Sequence, residues 1–309
     1  MAQVSIFKGE NRRDNIRRAL EQLPAVATAK LSTAHLLLIK PNLVHHQNQL
    51  ASTHIDAVRG VLDFIRARTK ALVIVGDASY YGTIAAFRNF GYENLPNEYP
   101  GVRLLDLNGD ATVPGFYERH TGERAEMQMA KTAKQADFKI SLALLKTHRD
   151  TGVSLSVKNW AIGTWVVASH LGVRGRYWSR VPYLHDAGED MMHANIAGLY
   201  GQNPPHLAVL DGTIGMEGEG PTHGSPLAMD LALAGDDAVA VDSVASELMG
   251  FDPRTIKHLA LAADRGYGVL DKSRIELRGE TNLSSLKKDF KKPDTWDKQG
   301  HTWKKAKII

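Results

Sequence analysis

The sequence predicts an α/β fold: a mostly parallel sheet covered by helices, folded as two lobes about a central cleft. Three observations predict it. Leu36–Ile39 and Leu72–Val75 are apolar runs with little polar alternation, as expected of strands buried on both faces. Segments such as His54–Arg66 carry apolar residues at helical spacing, through Ile55, Val58, Leu62 and Ile65. Strand-like and helix-like segments alternate, and parallel neighbours need such crossover connections.

In chain order, Val4–Phe7 reads as a short strand and Asp14–Leu23 as a helix buried through Ile16, Leu20 and Leu23. Thr83–Phe90 is a short helix before Gly91, and Val102–Leu107 a strand. Residues 109–135 form a less regular insert of hairpin character. Phe138–Leu145 delivers Lys146-Thr147-His148. Val153–Val157 alternates and Trp160–Val167 is continuously apolar, which leaves strand and helix both open there. Residues 169–188, rich in Gly, Arg, Tyr and Trp, read as a long loop, followed by a helix over Met191–Tyr200. Leu207–Leu210 and Leu227–Ala234 are strands. Asp236 is the expected N-cap of a helix that ends at Gly250, with Pro253 beyond it. Ile256–Ala263 is a further helix and Ile275–Arg278 a late strand. The expected organisation is an N-terminal lobe over 1–135, a C-terminal lobe over 136–283, and a basic tail over 284–309 outside the core.

Composition narrows the function classes. The chain of 309 residues has no cysteine, which excludes disulfides, thiolate nucleophiles, Cys-based zinc and iron–sulfur ligation. No apolar run approaches the ~18–20 residues of a membrane span, and the opening residues lack a basic-then-apolar signal pattern. The expected location is cytoplasmic, without membrane association. The formal net charge is +4, but residues 287–309 hold eight Lys and three Asp, and the remainder carries a net −1. A basic folded face is therefore missing, which argues against a nucleic-acid partner.

Ligands of parallel α/β sheets bind outside the carboxyl ends of the strands. Four apolar strands end in polar groups there: Lys40-Pro41-Asn42, Asp77-Ala78-Ser79, Lys146-Thr147-His148-Arg149 and Asp211-Gly212-Thr213. Any strand must end in something polar, so each motif alone is weak, but their recurrence points to a shared cleft. Lys40, Lys146, His148, Arg149 and Lys158 would supply donors suited to a carboxylate or phosphate; taken singly, each could equally be a solvated surface cation. Residues 211–224 include five glycines and hold Glu217 and Glu219 two apart, on one side of an extended chain. Such carboxylates could hold a divalent metal, or simply face water. Asp242 falls at the edge of a helix's apolar face and calls for a Lys, Arg or His partner. A Ser154-x-Ser156-x-Lys158 face lacks the nucleophile elbow of a hydrolase.

Taken together, these blocks resemble the DUF362 family. The resemblance rests on Lys40-Pro41-Asn42, Val75-Gly76-Asp77, Leu145-Lys146-Thr147-His148, Val157-Lys158-Asn159-Trp160-Ala161-Ile162-Gly163, Leu210-Asp211-Gly212, Gly218-Glu219-Gly220-Pro221 and Asp236-Asp237-Ala238-Val239-Ala240-Val241-Asp242, followed by Glu247-Leu248-Met249-Gly250. It runs from about Val4 to Gly279 in the same order. The family's name assigns it no general activity. Many relatives carry a ferredoxin-like iron–sulfur segment, which a cysteine-free chain cannot supply. More distantly, the pattern is similar at the level of fold to the nickel-pincer lactate racemase group, without a clear match to that group's ligands.

The leading expectation is an enzyme acting on a small anionic molecule in the inter-lobe cleft. Lys146, His148, Lys158 and Asp211 are the expected catalytic residues. Lys40, Asn42, Asp77, Ser79, Arg149 and Asn159 are the expected substrate-binding residues, with a divalent metal at Glu217 and Glu219. The alternative is a non-catalytic cofactor-binding or maturation protein using the same cleft. A third reading is structural, with Lys–Asp pairs neutralising each other in the core.

Overall fold

A computed structural model describes residues 1–172, 175–184 and 188–298. His185 and Trp303 lie outside the described residues. The strands are β1 (Ala2–Lys8), β2 (Leu36–Lys40), β3 (Leu72–Asp77), β4 (Val102–Asp106), β5 (Thr112–Glu118), β6 (Arg124–Ala130), β7 (Phe138–His148), β8 (Gly152–Val153), β9 (Trp165–Val166), β10 (His170–Gly172), β11 (Gly175–Tyr177), β12 (Leu207–Glu217), β13 (Ser225–Gly235) and β14 (Ile275–Gly279). The longer helices are α1 (Arg12–Glu21), α2 (Ile55–Arg66), α3 (Thr83–Asn89), α4 (Ser156–Gly163), α5 (Glu189–Gly201), α6 (Ala238–Leu248) and α7 (Lys257–Asp264).

One mixed sheet organises the molecule. Its order is β14-β1-β13-β12-β7-β2-β3-β4, with β8 paired to β7. The run β12-β7-β2-β3-β4 is parallel throughout, and β13 pairs antiparallel with both β1 and β12. The expected lobe boundary at 135/136 falls between β6 and β7, and β7 pairs with β2 on one side and β12 on the other. Strands from both expected lobes thus share one sheet. Residues 112–130 form the β5–β6 hairpin, extended by β9. The stretch left open between strand and helix is both, with α4 over 156–163 and then the short β9. The loop expected at 169–188 contains the β10–β11 hairpin.

The sheet buries one core on each face. Alternate residues divide between them: Leu37, Ile39, Val73, Val75 and Val209 face α1, α2 and α3, while Leu38, Ile74, Ala143, Leu145 and Leu210 face α4, α5 and α6. This period of two is the pleat itself.

Two caps differ from expectation. Asp237, not Asp236, caps α6, its side chain accepting from the amides of Val239 and Ala240; Asp236 instead accepts from the amide of Gln3 at 2.8 Å, joining the helix entry to β1. Among the described residues Asp242 has no cationic partner of the kind expected. It is fully buried in α6 and its two oxygens accept from the amides of Ser156 and Val157 at 2.9 and 2.7 Å. It therefore caps α4 across the core, satisfying donors that a helix N-terminus leaves orphaned.

The basic tail is not outside the core as far as Lys298. Leu286, Phe290 and Trp296 are buried, and Trp296 packs edge-on against Phe251 at 4.9 Å between ring centres. The segment's backbone joins the body through Lys288 N to Leu248 O, Phe290 N to Met249 O and Gly218 N to Lys291 O, at 2.7–3.1 Å. The Lys-rich composition hid a few widely spaced apolar anchors. Trp296→Ala should therefore destabilise the fold by about 3 kcal/mol, the lower end for a buried large-to-small aromatic change. Denaturant unfolding measures this, and an unchanged midpoint would show that the segment does not hold to the body.

Candidate functional site

The strand order places the site. The chain passes from β2 outward to β3 and β4, and β7 then lies on the other side of β2. A crevice opens where the direction of winding reverses, at the carboxyl ends of β2 and β7. In register, Lys40 pairs with Ser141, so β7 overhangs β2 and carries Lys146 and His148 above the sheet edge. Antiparallel pairing of Thr147 with Val153 and of His148 with Gly152 stiffens this overhang and leads directly into α4, which supplies Lys158 and Asn159. Together these elements surround a cavity of about 310 Å³.

At the floor lies a buried ion pair. Lys40 Nζ is 2.7 Å from Asp77 Oδ1, and both side chains are almost fully excluded from solvent. The same ammonium donates to Pro41 O at 2.9 Å and to Asn159 Oδ1 at 2.6 Å. Two of its N–H groups are thus committed, and Asp77 Oδ1 faces it as a counter-charge outside hydrogen-bond geometry. The other Asp77 oxygen accepts from the amide of Leu43 at 2.8 Å. Burial pushes Lys40 below its ordinary value, and the Asp77 charge opposes that shift. Gly163 closes over the pair: a β-carbon there would stand 2.3 Å from Lys40 Nζ and 2.5 Å from Asp77 Oδ1.

A network of amides carries this order outward. Asn159 Oδ1 also accepts from Asn42 Nδ2 at 3.1 Å, and Asn42 Oδ1 accepts from Lys146 Nζ at 2.7 Å. Lys146 donates a second bond to Ala51 O at 2.8 Å, so two of its three donors are used on neutral acceptors. Burial, then the nearby Lys158 charge, pushes Lys146 down to about 7. Ser79 Oγ donates to Leu43 O at 2.5 Å and borders the same cavity.

Lys158 Nζ lies 3.0 Å from His148 Nε2. The other ring nitrogen, Nδ1, accepts from the amide of Asp150 at 3.1 Å. Burial pushes His148 well below its ordinary value, with the Lys158 charge adding to the effect, and pushes Lys158 down to about 8. Behind His148 stand two further buried rings, His193 and His258, with their Nδ1 atoms 3.3 Å apart.

Several expected site residues lie elsewhere. Asp211 is buried on β12 but follows Val209 on the face that packs against α1, where Arg12 Nε meets it at 2.8 Å. Asp211 does not border the cavity that Lys40, Asp77 and Lys146 line. Thr213 N also donates to Asp211 Oδ1, and its role there is to hold α1 to the sheet. Arg149 projects outward, 59% exposed, 3.6 Å from Asp150, while its backbone amide donates to Gly220 O at 2.9 Å. Glu217 accepts from the amide of Lys291 at 2.8 Å and Glu219 from that of Asp294 at 2.6 Å. These carboxylates bind the C-terminal segment, and among the described residues no three His, Asp or Glu side chains converge as a metal ion would require. The divalent metal expected at Glu217 and Glu219 does not fit this donor set.

Sequence reading missed Arg180, which lies in the stretch read as loop. It is buried beside the cavity and donates to Trp165 O, Trp178 O and Asn108 Oδ1 at 2.8–3.2 Å. Tyr80, Tyr81 and Asp150 also border the cavity; nothing in their local pattern singled them out. An apolar wall of Ile162, Leu184, Met192 and Ile196 completes it.

Two lysines of one cavity should respond differently to loss of charge. Lys40→Met strands Asp77 as a buried carboxylate and should cost about 3–5 kcal/mol of stability. Lys146→Met releases only neutral acceptors and should cost about 1–2 kcal/mol. Paired thermal melts measure the contrast, and equal losses would refute this division of labour. Gly163→Ala should resemble Lys40→Met, since the added methyl displaces the same pair.

Comparison with known proteins adds the following. The chain is 26% identical over 235 residues to the thylakoid-associated protein sll1697 of Synechocystis sp., a match covering 72% of this chain and 66% of that protein. It also aligns with the lactate racemase apoprotein of Thermoanaerobacterium thermosaccharolyticum at a TM-score of 0.45 and 15% identity, over 68% of this chain and 50% of the other. Among the described residues no helix is long and apolar enough to cross a membrane. Residues 37–247 match the family described as a domain of unknown function, DUF362, and the chain, in which these residues span β2 to α6, belongs to that family.

Proposed function

We propose that the protein is an enzyme acting on a small carboxylate or phosphate compound held in the cavity between β2, β7 and α4. The observation that carries this reading is the charge of the cavity wall. Lys40, Lys146, Lys158 and Arg180 border it, against the carboxylates of Asp77 and Asp150. Asp77 is committed to Lys40 and Leu43, and Asp150 is 39% exposed beside Arg149. Buried cations are costly without a counter-charge, and an anionic ligand supplies one. Lys146 keeps a third donor for it, the strongest kind of hydrogen bond being charge-assisted. Lys158 and His148 form a contacting pair of titratable groups with lowered affinities for protons, the arrangement expected of acid–base chemistry. The apolar wall accommodates the non-ionic part of the substrate.

Asn42, Asn159, Lys40 and Asp77 act through Lys146 in this reading: they orient it and hold its position. Ser79 fixes the loop after β3 against the loop after β2.

The pH dependence follows from Lys146. Its folded value of about 7 lies below the ordinary lysine value, so between about 7 and 10 the unfolded chain binds the extra proton and the empty protein gains stability as pH rises. An anion reverses this, since it favours the charged lysine. Stabilisation of the protein by inorganic phosphate or by a short carboxylate should be greatest below pH 7. Above it, affinity should weaken by up to about tenfold per pH unit. Lys146→Met should remove the effect at all pH values. Thermal shifts across pH test this; stabilisation that is unchanged in Lys146→Met would place the anion elsewhere.

A further inference from the structure

We infer that Lys158 is held as an uncharged amine by His148 and forms an imine with the carbonyl carbon of a small 2-oxo acid whose carboxylate is bound at Lys146. This deepens the anion-binding reading above and rests on it.

The geometry of His148 carries the inference. Its Nδ1 receives the Asp150 amide proton at 3.1 Å, so that nitrogen is an acceptor. A neutral imidazole with an accepting Nδ1 bears its proton on Nε2. That N–H points at Lys158 Nζ, 3.0 Å away. An ammonium has three donors and no acceptor, so a protonated Lys158 would set N–H against N–H. Only the free amine has the lone pair to receive this bond. The alternative tautomer, with the proton on Nδ1, would instead oppose the Asp150 amide; the Asp150 carboxylate, 3.9 Å from Nδ1, is too far to rescue it by hydrogen bonding.

A charged His148 is disfavoured by its surroundings. Its burial is the larger cause, and the Lys146 charge near it adds to the effect. Asp150 is the carboxylate nearest the pair and is well exposed. With Lys158 neutral, the second cause of the lowering of Lys146, its like-charged neighbour, is removed; burial remains, and the bound carboxylate supplies the counter-charge that keeps Lys146 protonated. The two lysines thus divide into one charged and one nucleophilic group.

A desolvated amine beside a second cation is an activated nucleophile. The step balances without a redox partner. Lys158 Nζ attacks the ketone carbon and a C–N bond forms. The carbonyl oxygen leaves as water, taking two protons that trace back to the amine, and a C=N bond remains. A 2-oxo acid places its carbonyl directly beside the carboxylate that Lys146 would hold, and the wall of Ile162, Leu184, Met192 and Ile196 suits a short apolar tail.

The full-length protein incubated with pyruvate and sodium cyanoborohydride tests this. Reduction of the imine would leave a stable adduct, located by intact mass and peptide mapping. The expected result is modification at Lys158, saturating with pyruvate and suppressed by propanoate, which has the carboxylate but no ketone. Near neutral pH its rate should exceed that of a surface lysine by a factor on the order of a hundred, the ratio of free amine between the ordinary lysine value and about 8. His148→Gln should shift the pH profile of labelling to higher pH, because the amine regains its proton, and Lys158→Met should abolish the site-specific adduct. No adduct at Lys158, labelling indifferent to propanoate, or an unshifted profile in His148→Gln would each overturn the inference. Thermal stabilisation by propanoate separates the two readings: if it persists and depends on Lys146 while Lys158 stays unmodified, the imine fails and anion binding stands. If propanoate and pyruvate both leave the melting temperature unchanged, anion binding fails as well.

Discussion

The buried pairing of Lys40 with Asp77 is the constraint on which the rest of the site depends. Two charges at 2.7 Å, both excluded from water, can persist only if their remaining hydrogen-bonding capacity is met. Meeting it recruits Pro41, Leu43 and Asn159, which fixes the loop after β2 and the inner face of α4 against β3. The requirement that nothing intrude explains Gly163 at the end of α4. Asn159, once fixed by Lys40, orients Asn42, and Asn42 orients Lys146. A structural ion pair at the floor thereby sets the position of a cation one layer above it.

The second constraint acts on α4 from the other side. Its first two amides are buried and would be unsatisfied without the Asp242 carboxylate of α6. Burial pushes Asp242 up to about 8, and the two amide donors oppose that shift. Deletion of the carboxylate would leave amides with no water to replace it, at a cost of the order of 1–3 kcal/mol each. With its N-terminus held by Asp242 and its body by Lys40, α4 has little freedom to move, and Lys158 is presented to His148 from a rigid element. Reactive constellations built on such elements are more accurately placed than those on loops.

The sheet and most of its strands were legible because apolar runs and helical spacing report burial directly. The strand ends at Lys40, Asp77 and Lys146 were legible for the same reason, since polar groups at the carboxyl ends of parallel strands converge. The reach of β12 was not. Asp211 reads as a strand end, yet the strand runs on to Glu217 and the Asp211 carboxylate meets Arg12 rather than the cavity. Asp236 and Asp237 are adjacent and chemically identical; which one caps α6 is decided by β1, from the far end of the chain. Arg180 was hidden because its acceptors are mostly backbone carbonyls, which no side-chain pattern records. The tail misled through its average composition, since the buried Phe290 and Trp296 are outnumbered by lysines that stay in water.

The two glutamates of the Gly-rich segment illustrate how chemistry and scaffolding compete for one residue type. Two carboxylates two residues apart suit a metal, and they equally suit two backbone amides of a passing chain. Here the second demand prevails: Glu217 and Glu219 receive the amides of Lys291 and Asp294. Between them Gly218 donates to Lys291 O, and Gly220 packs so closely on Thr147 that a β-carbon would stand 1.9 Å from its carbonyl oxygen. Pro221 and Thr222, next in the chain, border the cavity. The C-terminal segment therefore reaches the site without touching it: it anchors the loop that forms one wall, against the same overhanging end of β7 that carries Lys146 and His148.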